Sequence, residues 1–108
     1  MKPIEFLGDS LDGIREFPSE AKRKAGHQLD RVQHGLDPDD WKPIKTIGPG
    51  VCELRIRDAT GAYRVIYLAK LERAVYVLHA FQKKTQKTSG SDIALANERY
   101  RQLLRKST

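Results

Sequence analysis

The sequence predicts a single α+β domain, and three patterns in its 108 residues support that class. Three apolar runs between positions 51 and 81 carry polar residues at alternate positions, which is the period of strands with one buried face. An apolar stripe at spacings of three and four precedes these runs, and a second stripe follows them, as in amphipathic helices. The length suits one hydrophobic core, so one domain over residues 1–108 is expected.

The first half of the chain predicts one short strand and two helices. Residues 2–7 favour a strand, and residues 11–16 favour a helical turn or a short helix. A longer helix is expected from about Pro18 to His34, because proline is tolerated in the first turn and a glycine follows the last one. Several prolines and glycines indicate that residues 36–49 form a loop.

The second half predicts three consecutive strands and a final helix. The three strands are expected over residues 51–57, 62–69 and 74–81. Residues 82–87 leave the last strand as a basic tail, and Ser91 or Asp92 is expected to cap the helix that follows. The predicted order is therefore one short strand, two helices, three strands and one helix.

Charge is distributed unevenly along this chain of net charge +6. Residues 1–50 carry 8 Lys and Arg against 9 Asp and Glu, whereas residues 51–108 carry 12 against 5. Such asymmetry suggests a polyanionic or acidic partner, although a merely solvated surface is the commoner explanation of charge alone. The single Cys52 excludes an internal disulfide and fits a reducing cytosol. We expect no secretory signal and no membrane span, because no apolar run is long enough.

The basic residues of the predicted sheet suggest a phosphate site. Arg55 and Arg57 point to the same side of their strand, and Arg64 lies across the hairpin from Arg55. Lys83 and Lys84 leave the last strand close by if that strand is the next neighbour. Metal-free RNA cleavage needs such a cationic clamp, together with one group that accepts a proton and one that donates a proton. The alternative is cross-strand pairing with acids such as Glu53, which would leave only a soluble sheet face.

Two further side chains of the last strand have open roles. Phe81 could stack a base or simply pack in the core. His79 could carry a proton at neutral pH or be a hydrogen-bonded, half-buried histidine, and its parity predicts the same face as Val75, Val77, Phe81 and Lys83. Lys45 and Lys87 are candidate RNA contacts. Neither metal-ligand spacing nor a nucleotide-binding glycine motif is present, so no metal and no cofactor is expected.

Three segments resemble the phage-derived, HigB-like branch of the RelE/ParE toxin superfamily. They are ELRIR at 53–57, YRVIY at 63–67 and VYVLHAFQKKTQKT at 75–88. The resemblance implies a small twisted antiparallel sheet of about four strands, with two N-terminal helices and a C-terminal helix. It also implies a toxin of a type II toxin–antitoxin system that cleaves mRNA on the ribosome, with a helix-turn-helix antitoxin from the adjacent gene.

The resemblance also implies site residues. Arg64 matches the family's phosphate-binding strand arginine, and Arg55 matches a basic residue of the preceding strand. Phe81, Lys83 and Lys84 fall where relatives place aromatic and basic residues around the scissile phosphate. Several relatives end with a catalytic histidine or tyrosine, whereas this chain ends in YRQLLRKST, so the proton donor and acceptor stay open. Two other functions also stay open: a ParE-like inhibitor of DNA gyrase, and a non-catalytic co-repressor that acts with its antitoxin.

Overall fold

The computed structural model describes residues 1–84 and 86–107. The elements in chain order are β1 Ile4–Phe6, α1 Ser10–Arg15, α2 Ser19–Gln33, β2 Trp41–Pro43, β3 Val51–Asp58, β4 Gly61–Leu68, β5 Val75–Lys83 and α3 Gly90–Ser107. The five strands form one sheet in the order β1-β5-β4-β3-β2. The predicted α+β class, with two N-terminal helices and a C-terminal helix, is confirmed.

The sheet differs from the prediction in its edges. It has five strands in the described residues and is mixed, because β1 runs parallel to β5 while the other pairs are antiparallel. Strand β2 lies within the predicted loop 36–49, where three exposed residues that end in a proline show no alternation that could identify a strand. Strand β5 also continues through Gln82 and Lys83, which were predicted as the start of a tail.

The two faces of the sheet carry separate hydrophobic cores. Helices α1 and α2 cover one face, where the buried cluster includes Leu29 of α2 and Leu54 of β3. Helix α3 covers the other face, where the buried cluster includes Ala96 of α3 and Ile66 of β4. Because successive residues of a strand point to opposite faces, the position of each polar side chain along its strand decides which core it borders.

A β-bulge in β5 changes which face its last residues occupy. Ile66 of β4 pairs with His79, but the next residue, Tyr67, pairs with Val77, so Leu78 is the extra residue. The bulge places His79 on the α3 face, and Val77 belongs to the core of the opposite face. The predicted parity of His79 with Val75 and Val77 was therefore wrong, because strict alternation ends at the inserted residue.

Helix α3 stabilises this bulge through Arg99. The Arg99 guanidinium donates from Nη1 to the Leu78 carbonyl oxygen at 2.9 Å, and from Nη2 to Asp9 Oδ1 at 2.5 Å. A bulged residue lacks its regular ladder partner, so a side-chain donor satisfies a carbonyl that would otherwise be buried without a hydrogen bond. The same guanidinium lowers the pKa of the Asp9 carboxyl, first through the hydrogen bond and then through its charge.

Within the part of the chain that the structure describes, none of the helices combines the length and the apolar character that crossing a bilayer requires.

We expect Gly13→Ala to destabilise the fold, because α1 lies very close to β5. A methyl group at Gly13 would lie 2.6 Å from the Ala80 carbonyl oxygen, closer than van der Waals contact. Such overpacking typically lowers the free energy of unfolding by about 1–3 kcal/mol. Urea denaturation measures the change.

Gly26→Ala in α2 is the matched control, because an added methyl group there meets nothing within 4 Å. It is expected to raise the free energy of unfolding by roughly 0.5–1 kcal/mol through helix propensity. Equal effects of the two substitutions would contradict the close approach of α1 to β5.

We expect the contribution of Asp9 to stability to depend on pH. Its folded-state pKa lies below the ordinary value of 3.8, so the stabilisation is present above that value and is lost as the pH falls through the depressed pKa. Asp9→Asn should lower the free energy of unfolding at pH 7 by at most about 1 kcal/mol, because 70% of the Asp9 side chain is exposed.

Denaturation curves for the wild type and for Asp9→Asn should converge in strong acid. Asp12→Asn, in an exposed pair on α1, is the control and should change stability little throughout. A difference for Asp9→Asn that persisted below the depressed pKa would rule out the ion pair as its cause.

Candidate functional site

Two arginines lie side by side at the centre of the sheet. The register pairs Arg55 of β3 directly with Arg64 of β4, and Arg64 pairs in turn with Phe81 of β5. In the next row towards the strand ends, Arg57 and Lys83 both pair with Ala62. The hairpin and the bulge thus bring together four cations from three strands.

A single buried carboxylate serves both central arginines. Glu53 is 1% exposed, and its Oε1 lies 3.5 Å from Arg64 Nε and 3.8 Å from Arg55 Nε. A second carboxylate, Asp40, approaches Arg55 Nη1 at 4.0 Å. All three distances exceed hydrogen-bond length, so none of these contacts locks a guanidinium to a carboxylate of its own.

Arg64 is the most deeply placed of the cations. It is 4% exposed, its Nη1 donates to the Tyr63 carbonyl oxygen at 3.0 Å, and its Nε has no hydrogen-bond partner among the described residues. Burial lowers the pKa of Arg64, the positive charges of Arg55 and Arg57 lower it further, and Glu53 opposes the shift. An arginine starts from so high a pKa that it stays charged, and a desolvated cation binds an anion more strongly.

A small groove opens beside this pair. It has a volume of about 190 Å³ and is lined by Asp40, Arg55, Ile56, Arg57, Arg64 and Lys83. Desolvation lowers the pKa of Lys83, and the nearby charge of Arg64 lowers it further. The groove therefore holds four cations, one exposed carboxylate and an ammonium group that releases its proton more readily than usual.

Asp40 is the groove residue that sequence reasoning missed. It stands just before β2, and its carbonyl oxygen accepts a hydrogen bond from the Arg55 amide at 2.9 Å. That pairing is what brings the carboxylate to the arginines. The sequence carries no signal for it, because β2 itself was predicted as a loop.

Two further grooves adjoin the first through Lys83. One includes Lys42, Lys45, Arg55 and Lys87 in its lining, and the other is lined partly by Phe81, Lys84 and Lys87. In the part of the chain that is described, eight cations and three carboxylates line the three grooves together. The surface is strongly positive, as surfaces that bind nucleic-acid backbones are.

His79 lies outside the groove at Arg64. It is 8% exposed, its Nε2 is 2.7 Å from Asp92 Oδ1, and its ring stacks on Phe81 with centroids 5.0 Å apart. Asp92 in turn accepts from Ser89 Oγ at 2.5 Å, and the Asp92 amide donates back to that oxygen at 3.2 Å. Ser89 thus caps α3, where Ser91 or Asp92 was predicted, and His79 is tied to the start of that helix.

The predicted site residues thus fall into three groups. Arg55, Arg57, Arg64 and Lys83 share one groove, whereas Lys45, Phe81, Lys84 and Lys87 line the two adjoining grooves. His79 is buried behind the stacked Phe81 ring. No cluster of three or more His, Cys, Asp or Glu that could hold a metal ion occurs within residues 1–84 and 86–107.

Tyr100, near the C-terminus, packs in the core rather than at the grooves. It borders the core beneath α3, and its ring lies so close to Gly48 that an added methyl group there would approach it to 2.4 Å. Tyr100 therefore belongs to the apolar face of α3 that packs on the sheet.

Comparison with known proteins points to one family and one fold. The family model described as Phage derived protein Gp49-like (DUF891) matches residues 12–101. The structure resembles that of the E. coli toxin RelE in the free state, solved for a mutant with two arginines replaced by alanine. The two chains are 16% identical and superpose with a TM-score of 0.61 over 97% of this chain and 96% of that one. At 16% sequence identity, this structural similarity establishes a shared fold and nothing more. No curated protein matches the sequence.

Proposed function

Because the chain belongs to the phage-derived Gp49-like family and has the fold of the toxin RelE, we propose that it is the toxin of a type II toxin–antitoxin system. We further propose that it cleaves mRNA on the ribosome without a metal ion. The observation that carries this proposal is the Arg55–Arg64 pair, which lines a groove with Arg57, Lys83 and one exposed carboxylate.

The arginine pair is suited to hold the reacting phosphate. In this reaction the 2′-oxygen attacks the adjacent phosphorus, and negative charge builds on the non-bridging oxygens. Two guanidiniums side by side offer several fixed N–H donors to those oxygens, and the partial burial of Arg64 strengthens the attraction. Because the charge grows as the bond to the 2′-oxygen forms, the clamp stabilises the transition state more than the bound substrate.

The same groove offers candidates for both proton transfers. The Asp40 carboxylate is exposed and adjacent to Arg55, so it is placed to accept the proton of the 2′-hydroxyl. Lys83, with its lowered pKa, is placed to donate a proton to the departing 5′-oxygen as the P–O5′ bond breaks. The products are then a 2′,3′-cyclic phosphate and a 5′-hydroxyl. His79 is the alternative proton carrier, but it already engages Asp92.

The adjoining grooves extend the proposed RNA path. Lys42, Lys45 and Lys87 line one of the adjoining grooves and would contact flanking phosphates. Phe81 is half-buried and lines the other groove with Lys84, where its ring is available to stack a base. Arg57 and Lys84 complete a basic surface suited to single-stranded RNA.

The proposed biological setting follows from the family and the fold. A RelE-like toxin implies a cognate antitoxin, and we propose a helix-turn-helix protein encoded by the adjacent gene. The substrate is mRNA on the ribosome, and the compartment is the cytoplasm. The single half-buried Cys52 is compatible with that reducing environment.

We expect induced expression of the wild-type chain to arrest growth and Arg64→Gln to relieve the arrest. Loss of one fixed donor to the reacting phosphate typically slows the chemical step roughly 10²- to 10³-fold. New 5′ ends on mRNA, mapped by primer extension, measure the cleavage. Arg55→Gln is the second variant, because Arg55 is more exposed and its loss perturbs the core less.

Arg23→Gln, on the exposed side of α2, removes the same charge away from the site and should leave growth arrest intact. Growth arrest with DNA damage and unchanged mRNA ends would favour a gyrase inhibitor instead. Absence of growth arrest with operator binding in the presence of the antitoxin would favour a co-repressor.

We expect Asp40→Asn to slow cleavage by roughly 10²- to 10⁴-fold, because the amide cannot accept the 2′ proton. Single-turnover cleavage of mRNA on programmed ribosomes measures the rate constant. The matched control is the neighbouring Asp39→Asn, because Asp39 bonds to Gln28 instead of lining the groove.

If Asp40→Asn cleaved at the wild-type rate while His79→Asn was inactive, the assignment of the proton acceptor would pass to His79.

A further inference from the structure

We propose that Glu53 is a positioning residue, which holds Arg55 and Arg64 together and aims both guanidiniums at the groove; this rests on the proposed function of that groove. The register of β3 and β4 places the two arginines directly opposite each other. Like charges in that position on adjacent antiparallel strands repel one another, and such a pairing is normally destabilising. A compensating negative charge is therefore required where the two side chains converge.

Glu53 supplies that charge from a buried position. It precedes Arg55 by two residues on the same face of β3, and its Oε1 lies 3.8 Å and 3.5 Å from the Nε atoms of Arg55 and Arg64. Both guanidiniums approach the carboxylate with Nε, the nitrogen nearest the backbone. Of the terminal nitrogens, Arg64 Nη1 donates to the Tyr63 carbonyl oxygen, and both arginines line the groove where a phosphate would bind.

The contacts of Glu53 with the two arginines are longer than hydrogen bonds, so they leave the arginines able to bind another anion. Glu53 Oε1, Arg55 Nε and Arg64 Nε are all buried, and none has a hydrogen-bond partner among the described residues. One carboxylate between two guanidiniums also leaves a net positive charge at the pair. Glu53 therefore offsets the repulsion without satisfying either arginine, so the pair keeps capacity for a second, diffusible anion.

The other carboxylate oxygen of Glu53 binds Thr88, just before α3. Oε2 accepts a hydrogen bond from Thr88 Oγ1 at 2.6 Å, immediately before the residue that caps α3. Thr88, Lys83 and Lys87 line the same groove, so this bond fixes one side of it. Glu53 thereby joins β3, β4 and the approach to α3 at a single point.

Glu53 is a positioning residue and not a catalytic one: it borders the adjoining groove but is only 1% exposed, and the cations around it are the groups placed to hold the phosphate. It acts through the arginines, so its loss should affect the rate of the chemical step and not the affinity. Displacing a catalytic group by about 1 Å typically slows a reaction roughly 10²-fold.

The test is Glu53→Gln, which keeps the shape of the side chain and removes its charge. Cleavage of mRNA on programmed ribosomes, with toxin in excess and titrated, gives a saturating rate and a half-saturating concentration. We expect the saturating rate to fall roughly 10- to 100-fold, and the half-saturating concentration to change less than about threefold. Glu98→Gln, an exposed position on α3, makes the same charge change and should behave as wild type.

A double-mutant cycle with Arg64→Gln tests whether Glu53 acts through the arginine pair. Glu53→Gln alone should lower Tm by at least about 4–8 °C, whereas in the Arg64→Gln background it should lower Tm much less, because the repulsion is already gone. If Glu53→Gln alone does not fold, the double variant should fold, since the net charge of the cluster returns to its wild-type value. Additive Tm shifts, or a double variant that is no more stable than Glu53→Gln, would overturn the proposal.

The two proposals fail in different ways. If the wild type leaves mRNA intact, the proposed function fails, and the Tm cycle still decides the role of Glu53. If the wild type cleaves and Glu53→Gln cleaves equally fast, the positioning role is refuted while the function is retained. A raised half-saturating concentration at an unchanged rate would also refute it, because that pattern describes a simple binding contact.

Discussion

The pairing of β4 with β5, including its one-residue bulge at Leu78, is the constraint on which the rest of the structure depends. Val77, before the bulge, lies in the core under α1 and α2. After the bulge, the side chains on the α3 face are those of His79, Phe81 and Lys83. The bulge is stabilised from α3, because Arg99 bonds to the Leu78 carbonyl oxygen. A bulge that re-aims side chains beside a functional groove is a common use of this irregularity. Without it, Lys83 would point away from Arg64.

Electrostatics then determines what the converged side chains can do. The groove contains more positive than negative charge, and its central carboxylate, Glu53, is shared by two arginines instead of neutralising one. Partial burial raises the strength of these charges, and it lowers the pKa of both Arg64 and Lys83. In this surface one carboxylate compensates only part of the repulsion between the cations. That is a costly arrangement for stability alone, and it is typical of a site that awaits an anion.

Much of the fold could be predicted from local patterns. Strand β3 was predicted from alternation over seven residues, and β4 and β5 were predicted from short, mostly apolar runs bounded by turn residues. The hairpin at Gly61 placed Arg55 near Arg64, as the register confirms. Strand β1 was predicted but its parallel pairing with β5 was not, and β2 was predicted as a loop, because three-residue strands depend on their neighbours for their existence. Asp40 was missed for the same reason, since only the pairing of β2 with β3 brings it to Arg55.

The sequence by itself determined the helices, the longer strands, the family resemblance and the excess of cations after Gly50, because periodicity, motif and charge are all local properties of the chain. Only the tertiary structure decided which cations meet, that Glu53 lies between Arg55 and Arg64, and that His79 turns toward Asp92. The physical reason is that a bulge and an edge strand each depend on hydrogen bonds between distant segments. One inserted residue reverses the face of everything beyond it, and no local pattern records that reversal.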